Sequence, residues 1–242
     1  MLYPPQRRWL AGHGPSRAMI LLAMLAVTLF WAEAALAHAV TVGDKGYIQE
    51  ITGVHFISFL YLGAKHMVTG FDHLLFLFGV IFFLYGLKQI GIYVTLFAVG
   101  HSTTMLAGVW FNFGINSFVI DAIIGFSVVY KALDNLGAFP RWFGFQPSTK
   151  WATLIFGFLH GFGLASRIID YEISPDGLLA NLIAFNIGVE VGQLIALALI
   201  LLVMNHWRAT AGFARQAYTA NVVMMSMGFY LMGFQLIGLA YS

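Results

Sequence analysis

The chain has 242 residues, of which 60% are hydrophobic and only 9% are charged. A soluble domain carries about 25% charged residues, so this composition excludes an ordinary water-facing surface and indicates an integral membrane protein. The net charge of +2 is too small to indicate nucleic-acid binding, and the absence of cysteine excludes disulfides, thiolate metal sites and a cysteine nucleophile.

The N-terminal segment has the pattern of a signal peptide. Three arginines precede the apolar run 18–32, and the small-x-small tripeptide Ala35-Leu36-Ala37 follows it. We therefore predict a signal peptide at 1–37, cleavage after Ala37, and a polytopic membrane domain at 38–242 whose N-terminus is periplasmic. An uncleaved first span is the alternative, and it too leaves residue 38 outside the cytoplasm.

The remaining chain predicts an all-α fold with about six transmembrane helices, because a span needs about 20 mostly apolar residues. The predicted spans are 71–87, 90–110, 117–135, 150–168, 178–204 and 217–240. Residues 51–69 are interrupted by His55, Lys65 and His66, which favours an interfacial or re-entrant helix. With the N-terminus outside, the inner loops collect most lysines and arginines, as the positive-inside rule expects for the bacterial inner membrane.

One tract places ionisable residues at the entrance of an apolar span: His66, Asp72 and His73 lead directly into Leu74-Leu75-Phe76. Hydrocarbon penalises ionisable groups by at least a few kcal/mol each, so such residues usually serve a function. Imidazole and carboxylate together suit a divalent transition metal. We therefore predict a metal site here.

Later spans also carry buried polar residues: His101, Ser102, Asp121, His160, Asn186, Glu190 and Gln193. At a rise of ~1.5 Å per residue, His101, His160 and Glu190 would lie ~12–18 Å below the outer ends of their helices, in a central site beyond an outer mouth. Paired glycines bracket His160 and Glu190 and predict close helix packing. Two alternatives stay open: His101 bonding a carbonyl across a helix interface, and Ser102 bonding its own helix.

Five motifs in series resemble the HupE/UreJ family of membrane proteins. They are His66-x5-Asp72-His73, Gly100-His101-Ser102-x-Thr104, Ser127-x-x-Tyr130-x-Ala-Leu-Asp134-Asn135, Phe156-Gly-x-x-His160-Gly161-Phe-Gly163 and Phe185-Asn186-x-Gly188-Val-Glu190-x-Gly-Gln193. The resemblance implies a secondary permease for nickel, with cobalt or other divalent metals for some members. By motif position it implies roles for His66, Asp72, His73, His101, His160 and Glu190. This chain has Asp121 and Asp134 where glutamate is usual in the family.

The resulting hypothesis is uptake of a divalent ion, nickel first and cobalt, zinc, copper or iron as other candidates, with no tightly bound cofactor and no enzymatic activity. His66, Asp72 and His73 would capture the ion, and His101, His160, Asn186 and Glu190 would hold it, with Ser102, Asp121 and Gln193 in support. Glu190 would exchange a proton for the ion. The expected partners are the lipid bilayer and the metal ion, and a homo-oligomer or a metalloenzyme-maturation partner stays open. Without a glycine-rich phosphate-binding motif, no nucleotide is expected.

Two rival functions stay open on the sequence alone. Three histidines with acids could fix a zinc ion that leaves one position for water, as in an intramembrane hydrolase. A serine hydrolase built on Ser102 lacks the glycine-lined turn that a nucleophile elbow requires. The second rival is a non-enzymatic membrane subunit or metal chaperone of a larger metalloenzyme complex.

Overall fold

A computed structural model describes residues 49–170 and 174–242. Within these ranges the structure has eight bounded helices and no strand. They are α1 (Phe56–Thr69), α2 (Phe71–Ile81), α3 (Leu87–Trp110), α4 (Ser117–Asn135), α5 (Ala138–Phe143), α6 (Thr149–Asp170), α7 (Leu178–Arg208) and α8 (Phe213–Tyr241). The signal-peptide prediction at 1–37 and its cleavage site lie outside the described residues.

Among the described helices, four are long and apolar enough to cross a membrane: α3, α6, α7 and α8. Helix α4 has 19 residues and carries three charged side chains, all of them buried: Asp121, Lys131 and Asp134. These five helices match the predicted spans from 90 to 240 within a few residues at most ends. The prediction of an all-α integral membrane protein is therefore confirmed.

The predicted span 71–87 is wrong in its extent, because α2 ends at Ile81 after 11 residues. At ~1.5 Å per residue α2 covers only ~17 Å of a hydrocarbon core of about 30 Å. It follows α1 almost directly, and the two are separated at Gly70, whose φ of −73° and ψ of 101° are extended. The Gly70 N–H still donates to the carbonyl oxygen of His66. A Cβ at Gly70 would lie 2.8 Å from Nδ1 of His73, so a side chain here would disturb the next helix.

Helix α1 packs parallel to the first half of α7 through glycines on both helices. A Cβ on Gly63 would lie 1.9 Å from the carbonyl oxygen of Phe185, and one on Gly188 would lie 2.0 Å from that of Leu60. Only glycine permits this approach, which brings the two backbones together as in other membrane helix pairs. Helix α1 thus packs closely on α7, and the expectation for residues 51–69 was an interfacial or re-entrant helix.

Hydrogen bonds attach both ends of the segment 53–82, which contains α1 and α2, to α7. The Asn181 side chain donates to the Gly53 carbonyl oxygen at 2.9 Å and accepts from the His55 N–H at 2.8 Å. At the other end the Arg208 guanidinium donates to the carbonyl oxygens of Ile81 and Phe82. The segment 53–82 is therefore bonded to α7 near both ends of that helix, and it forms one unit of two helices, α1 and α2, interrupted at Gly70.

Two further helix pairs use the same close packing. Helices α3 and α6 run parallel, and a Cβ on Gly157 would lie 2.5 Å from the Phe97 carbonyl oxygen. Helices α4 and α8 run antiparallel, and a Cβ on Gly125 would lie 2.6 Å from the Met232 nitrogen. Helix α2 also contacts α4, so the junction of α1 and α2 lies among the helix pairs.

The bundle has two ends. The first end holds residues 51–55, 111–116 and 174–177, where Gly53 lies beside Asp176 and the Ile115 N–H donates to Ser166. The second end holds residues 82–86, 136–148 and 209–212. There Asp134 accepts hydrogen bonds from Lys131, Gln146 and Thr149.

Candidate metal centre

Four imidazoles meet inside the bundle around His73. The ring centroid of His73 lies 5.1 Å from that of His66, 5.1 Å from that of His160 and 5.9 Å from that of His101. The four rings come from four helices, α1, α2, α3 and α6. The sequence divided these histidines between an outer mouth and a central site, and their binding of a metal stays a prediction.

Asp72 orients the central ring. Its Oδ1 accepts from the His73 backbone N–H at 2.9 Å and lies 2.9 Å from Nδ1 of the same ring. A carboxylate at this nitrogen selects the tautomer that carries hydrogen on Nδ1 and leaves the Nε2 lone pair for a ligand. The local fold makes this contact, because both residues lie in the first turn of α2 just beyond Gly70.

His160 is oriented in the same way by its own helix. Its Nδ1 lies 2.7 Å from the Phe156 carbonyl oxygen one turn earlier, so Nδ1 donates and Nε2 is left for a ligand. The Thr104 hydroxyl donates to the Phe158 carbonyl oxygen at 2.7 Å and ties α3 to α6 beside this ring. Two of the four imidazoles are therefore held in the geometry that metal-binding histidines usually have.

Five buried ring nitrogens in the cluster have no hydrogen-bond partner among the residues that the structure describes. They are Nε2 of His66, His73 and His160, and both ring nitrogens of His101. A buried polar atom without a partner costs about 1–3 kcal/mol, and such atoms are rare in native proteins. Each neutral imidazole has one nitrogen with a lone pair, so up to four of these nitrogens could donate to a shared ligand.

A metal ion fits this donor set. Asp72, His73 and His160 each offer one ligand atom, and these three atoms lie within 4.8 Å of one another. Neutral imidazole with carboxylate suits nickel, cobalt, zinc or copper rather than magnesium or calcium. Because the ligands come from α2 and α6, an ion here would join two helices that are distant in the sequence.

A cavity of about 30 Å³ lies beside the rings, and we call it the polar cavity because six of its nine lining residues have polar side chains. Its lining residues are His66, Asp72, His73, Asp121, Ile124, His160, Gly163, Leu164 and Arg167. A cavity needs about 10–15 Å³ to admit a water molecule, so this one admits a small ion. Two of its lining side chains, those of Asp72 and Arg167, are 21% and 22% exposed.

Aromatic side chains close the other side of the cluster. The Phe97 ring lies 5.0 Å from that of His160, and the Phe76 ring lies 5.5 Å from it. Beyond them is a second cavity of about 10 Å³, lined mainly by apolar residues together with Thr153 and Gln193. His73 lines both cavities, so it lies between the polar compartment and the apolar one.

The expected separation between an outer mouth and a deeper site is wrong for the histidines. His73 was expected near the mouth and His160 near the middle, yet their rings are in contact. The reason is that α2 is the second half of an interrupted unit, so its first turn lies inside the bundle instead of at its surface.

Glu190 takes a different position from the four imidazoles. It is half-buried, and the Ser102 hydroxyl donates to its Oε1 at 3.3 Å between α3 and α7. Among the described residues the Asn186 Oδ1 and the Gln193 Nε2 are buried without a hydrogen-bond partner. The sequence grouped Glu190 with His101 and His160 in a central site, whereas in the structure its side-chain hydrogen bond is with Ser102.

Arg167 was not expected at the site. Its guanidinium pairs with the Asp121 carboxylate across α6 and α4. Both residues line the polar cavity. The sequence contained one signal for this pair, because the opposite charges of Asp121 and Arg167 lie near the same end of two predicted spans.

The sequence matches the family model described as HupE / UreJ protein over residues 42–242. This range contains every helix described above and all the residues of the histidine cluster. No curated protein and no solved structure shows significant similarity to the chain. The matched description is that of a membrane family associated with metal transport, which agrees with the donor set of the cluster.

Proposed function

Because the chain belongs to the HupE/UreJ family, we propose that it is a secondary permease for a divalent transition-metal ion, with nickel as the first ion to test. The observation that carries this proposal is the group of buried imidazoles with unpartnered nitrogens inside an apolar helical bundle. Ionisable groups at such depth usually mark an ion path. No catalytic reaction is assigned to the site.

The ion would enter from the first end of the bundle. The carboxylates of Asp72 and Asp121 in the polar cavity attract a cation, and the imidazoles replace part of its water shell. The second end carries Arg141, Lys150 and Arg208. By the positive-inside rule the second end would face the cytoplasm and the first end the periplasm of the bacterial inner membrane.

His73 would pass the ion from one compartment to the next, since it lines both cavities. The aromatic rings of Phe76 and Phe97 stand on the far side. Passage requires them to move, and α2 is short and joined to α1 by the extended Gly70. Discontinuous helices of this kind form the ion sites of many secondary transporters. A motion of α2 about Gly70 would open the second compartment.

Glu190 would serve the coupling to protons. A half-buried carboxyl that accepts from Ser102 can hold or release a proton as the net charge of the bundle changes. We propose that Glu190 releases a proton when the cation arrives and takes one up after it leaves. Uptake without proton exchange, as facilitated diffusion, is the simpler version of the same proposal.

The proposal is tested with purified protein in liposomes. Nickel flux into the vesicles should be saturable, and His73→Ala should abolish it. His206→Ala is the matched control, because His206 is an exposed histidine at the second end of the same bundle. Glu190→Gln should remove the accompanying pH change in the vesicle lumen if transport is proton-coupled.

Three outcomes would contradict the proposal. Absence of metal-dependent flux, with the vesicles intact to a control ionophore, would exclude a permease. One zinc ion per chain that survives purification and chelation would favour the hydrolase instead. Flux or metal binding that appears only with a co-purifying complex would favour the accessory subunit.

A further inference from the structure

One side chain with a permanent positive charge, that of Arg167, lines the polar cavity. Arg167 is the only lysine or arginine among the described residues that line it, and its side chain is 22% exposed. It lines the same cavity as His66 and His160. A positive charge beside a site for a divalent cation opposes binding, because like charges repel strongly where water is scarce.

The Asp121 carboxylate connects Arg167 to the cavity. Its Oδ2 pairs with the guanidinium, and its Oδ1 lies 3.5 Å from the Cβ position of Gly163, another lining residue. The Asp121 side chain is only 9% exposed. The buried Asp121 carboxylate thus lies between the arginine and Gly163, and all three residues line the polar cavity.

The charges of the cavity show what this arrangement does. With neutral imidazoles, the two carboxylates of Asp72 and Asp121 and the guanidinium of Arg167 give a formal charge of −1. A divalent ion would bring this to +1. Without the guanidinium the cavity would carry −2, and the same ion would neutralise it. Arg167 therefore lowers the attraction for the ion and makes its departure easier.

We propose that Arg167 sets the affinity of the site by competing with the metal ion for the Asp121 carboxylate. The inference rests on the proposed function and assigns Arg167 a role within it. A transport site must release its ion, so a built-in competing cation keeps the site from becoming a trap. Entry of the metal ion weakens the ion pair between Asp121 and Arg167. Re-formation of that ion pair then favours release of the metal ion.

The alternative is that the pair only ties α4 to α6. The two hypotheses differ in the changes in nickel affinity that they predict. Competition predicts changes of opposite sign for Arg167→Gln and Asp121→Asn, whereas a purely structural pair predicts changes of the same sign. If Arg167 competes, Arg167→Gln tightens metal binding while Asp121→Asn weakens it. If the ion pair only holds α4 against α6, both variants remove the same contact and both weaken nickel binding.

The experiment measures nickel binding by equilibrium dialysis on the full chain in detergent, with thermal unfolding in parallel. Arg167→Gln should lower the Kd for nickel about tenfold or more, and Arg167→Lys should stay near the wild type. Lys150→Gln is the matched control, because it removes the same charge from an exposed position at the second end. In liposomes Arg167→Gln should lower both the half-saturating nickel concentration and the maximal flux.

Each outcome decides the question. A rise in Kd for both Arg167→Gln and Asp121→Asn would overturn the inference and leave the permease proposal intact. An equal fall in Kd for Arg167→Gln and Lys150→Gln would show a general charge effect and would also overturn it. Arg167→Met, which keeps the length of the side chain, is the second neutral variant. Failure of both neutral variants to fold would make the pair structural. Absence of nickel binding by the wild type would defeat the proposed function itself.

Discussion

Gly161→Ala tests the link between helix packing and the histidine cluster. A Cβ at Gly161 would lie 2.2 Å from the carbonyl oxygen of His101 and 2.2 Å from the Thr104 hydroxyl. Ordinary contact begins near 3.4 Å, so α3 and α6 must separate by about 1.2 Å, the difference between 3.4 and 2.2 Å. Gly161 follows His160 directly, so this shift moves two of the four imidazoles.

The expected cost follows from two terms. Overpacking of this kind costs about 1–3 kcal/mol, and loss of the bond from Thr104 to the Phe158 carbonyl adds about 1 kcal/mol. The gain in helix propensity from glycine to alanine offsets about 1 kcal/mol. Gly91→Ala on α3 shares that gain and meets nothing within 4 Å. Gly161→Ala should therefore be less stable than Gly91→Ala by about 2–4 kcal/mol.

The assay is denaturant unfolding in detergent micelles, followed by circular dichroism, with nickel binding measured on the same samples. A metal site tolerates ligand displacements of only about 0.5 Å, so Gly161→Ala should also lose most of its nickel affinity while Gly91→Ala keeps it. Equal stability and equal affinity of the two variants would refute the close contact between α3 and α6.

Three further predictions follow from single contacts. Asp72→Asn should weaken nickel binding about 10–100-fold, because it removes the carboxylate that orients the adjacent imidazole; equilibrium dialysis measures this, and an unchanged Kd would contradict it. Gly70→Ala should lower both stability and nickel affinity through the contact of its Cβ with the same imidazole, whereas Gly114→Ala, which meets open space, should change neither. Asp134→Asn should cost about 3–5 kcal/mol of stability, because it leaves the buried Lys131 ammonium without its carboxylate. Its nickel affinity should stay unchanged, and a parallel loss of affinity would show that the second end belongs to the metal site.

The sequence was sufficient for the long helices, because their apolar runs are continuous and need no knowledge of packing. It failed at residues 51–87, where a short apolar run follows a glycine. Hydropathy cannot tell a helix that begins at the membrane surface from one that begins inside the bundle. The distinction depends on the close approach of α1 to α7 through Gly63 and Gly188, which is a tertiary contact.

The histidines of the site could be found from the sequence because ionisable groups in apolar spans are costly and therefore conspicuous. Their exact grouping could not. Depth along a helix says nothing about which face a side chain occupies, so Glu190 looked equivalent to His160, although it pairs with Ser102 on another side of α3. Arg167 was missed for a related reason, since a charge near a helix end is usually solvated.

The interruption at Gly70 has a consequence for how firmly different ions can be held. His66 lies just before the joint and His73 just after it, with their rings 5.1 Å apart. An ion that binds both rings would hold α1 and α2 in one relative orientation. An ion that binds too firmly would prevent α2 from moving about Gly70. Ions with the highest affinity for imidazole should therefore inhibit transport, whereas ions with lower affinity should be transported.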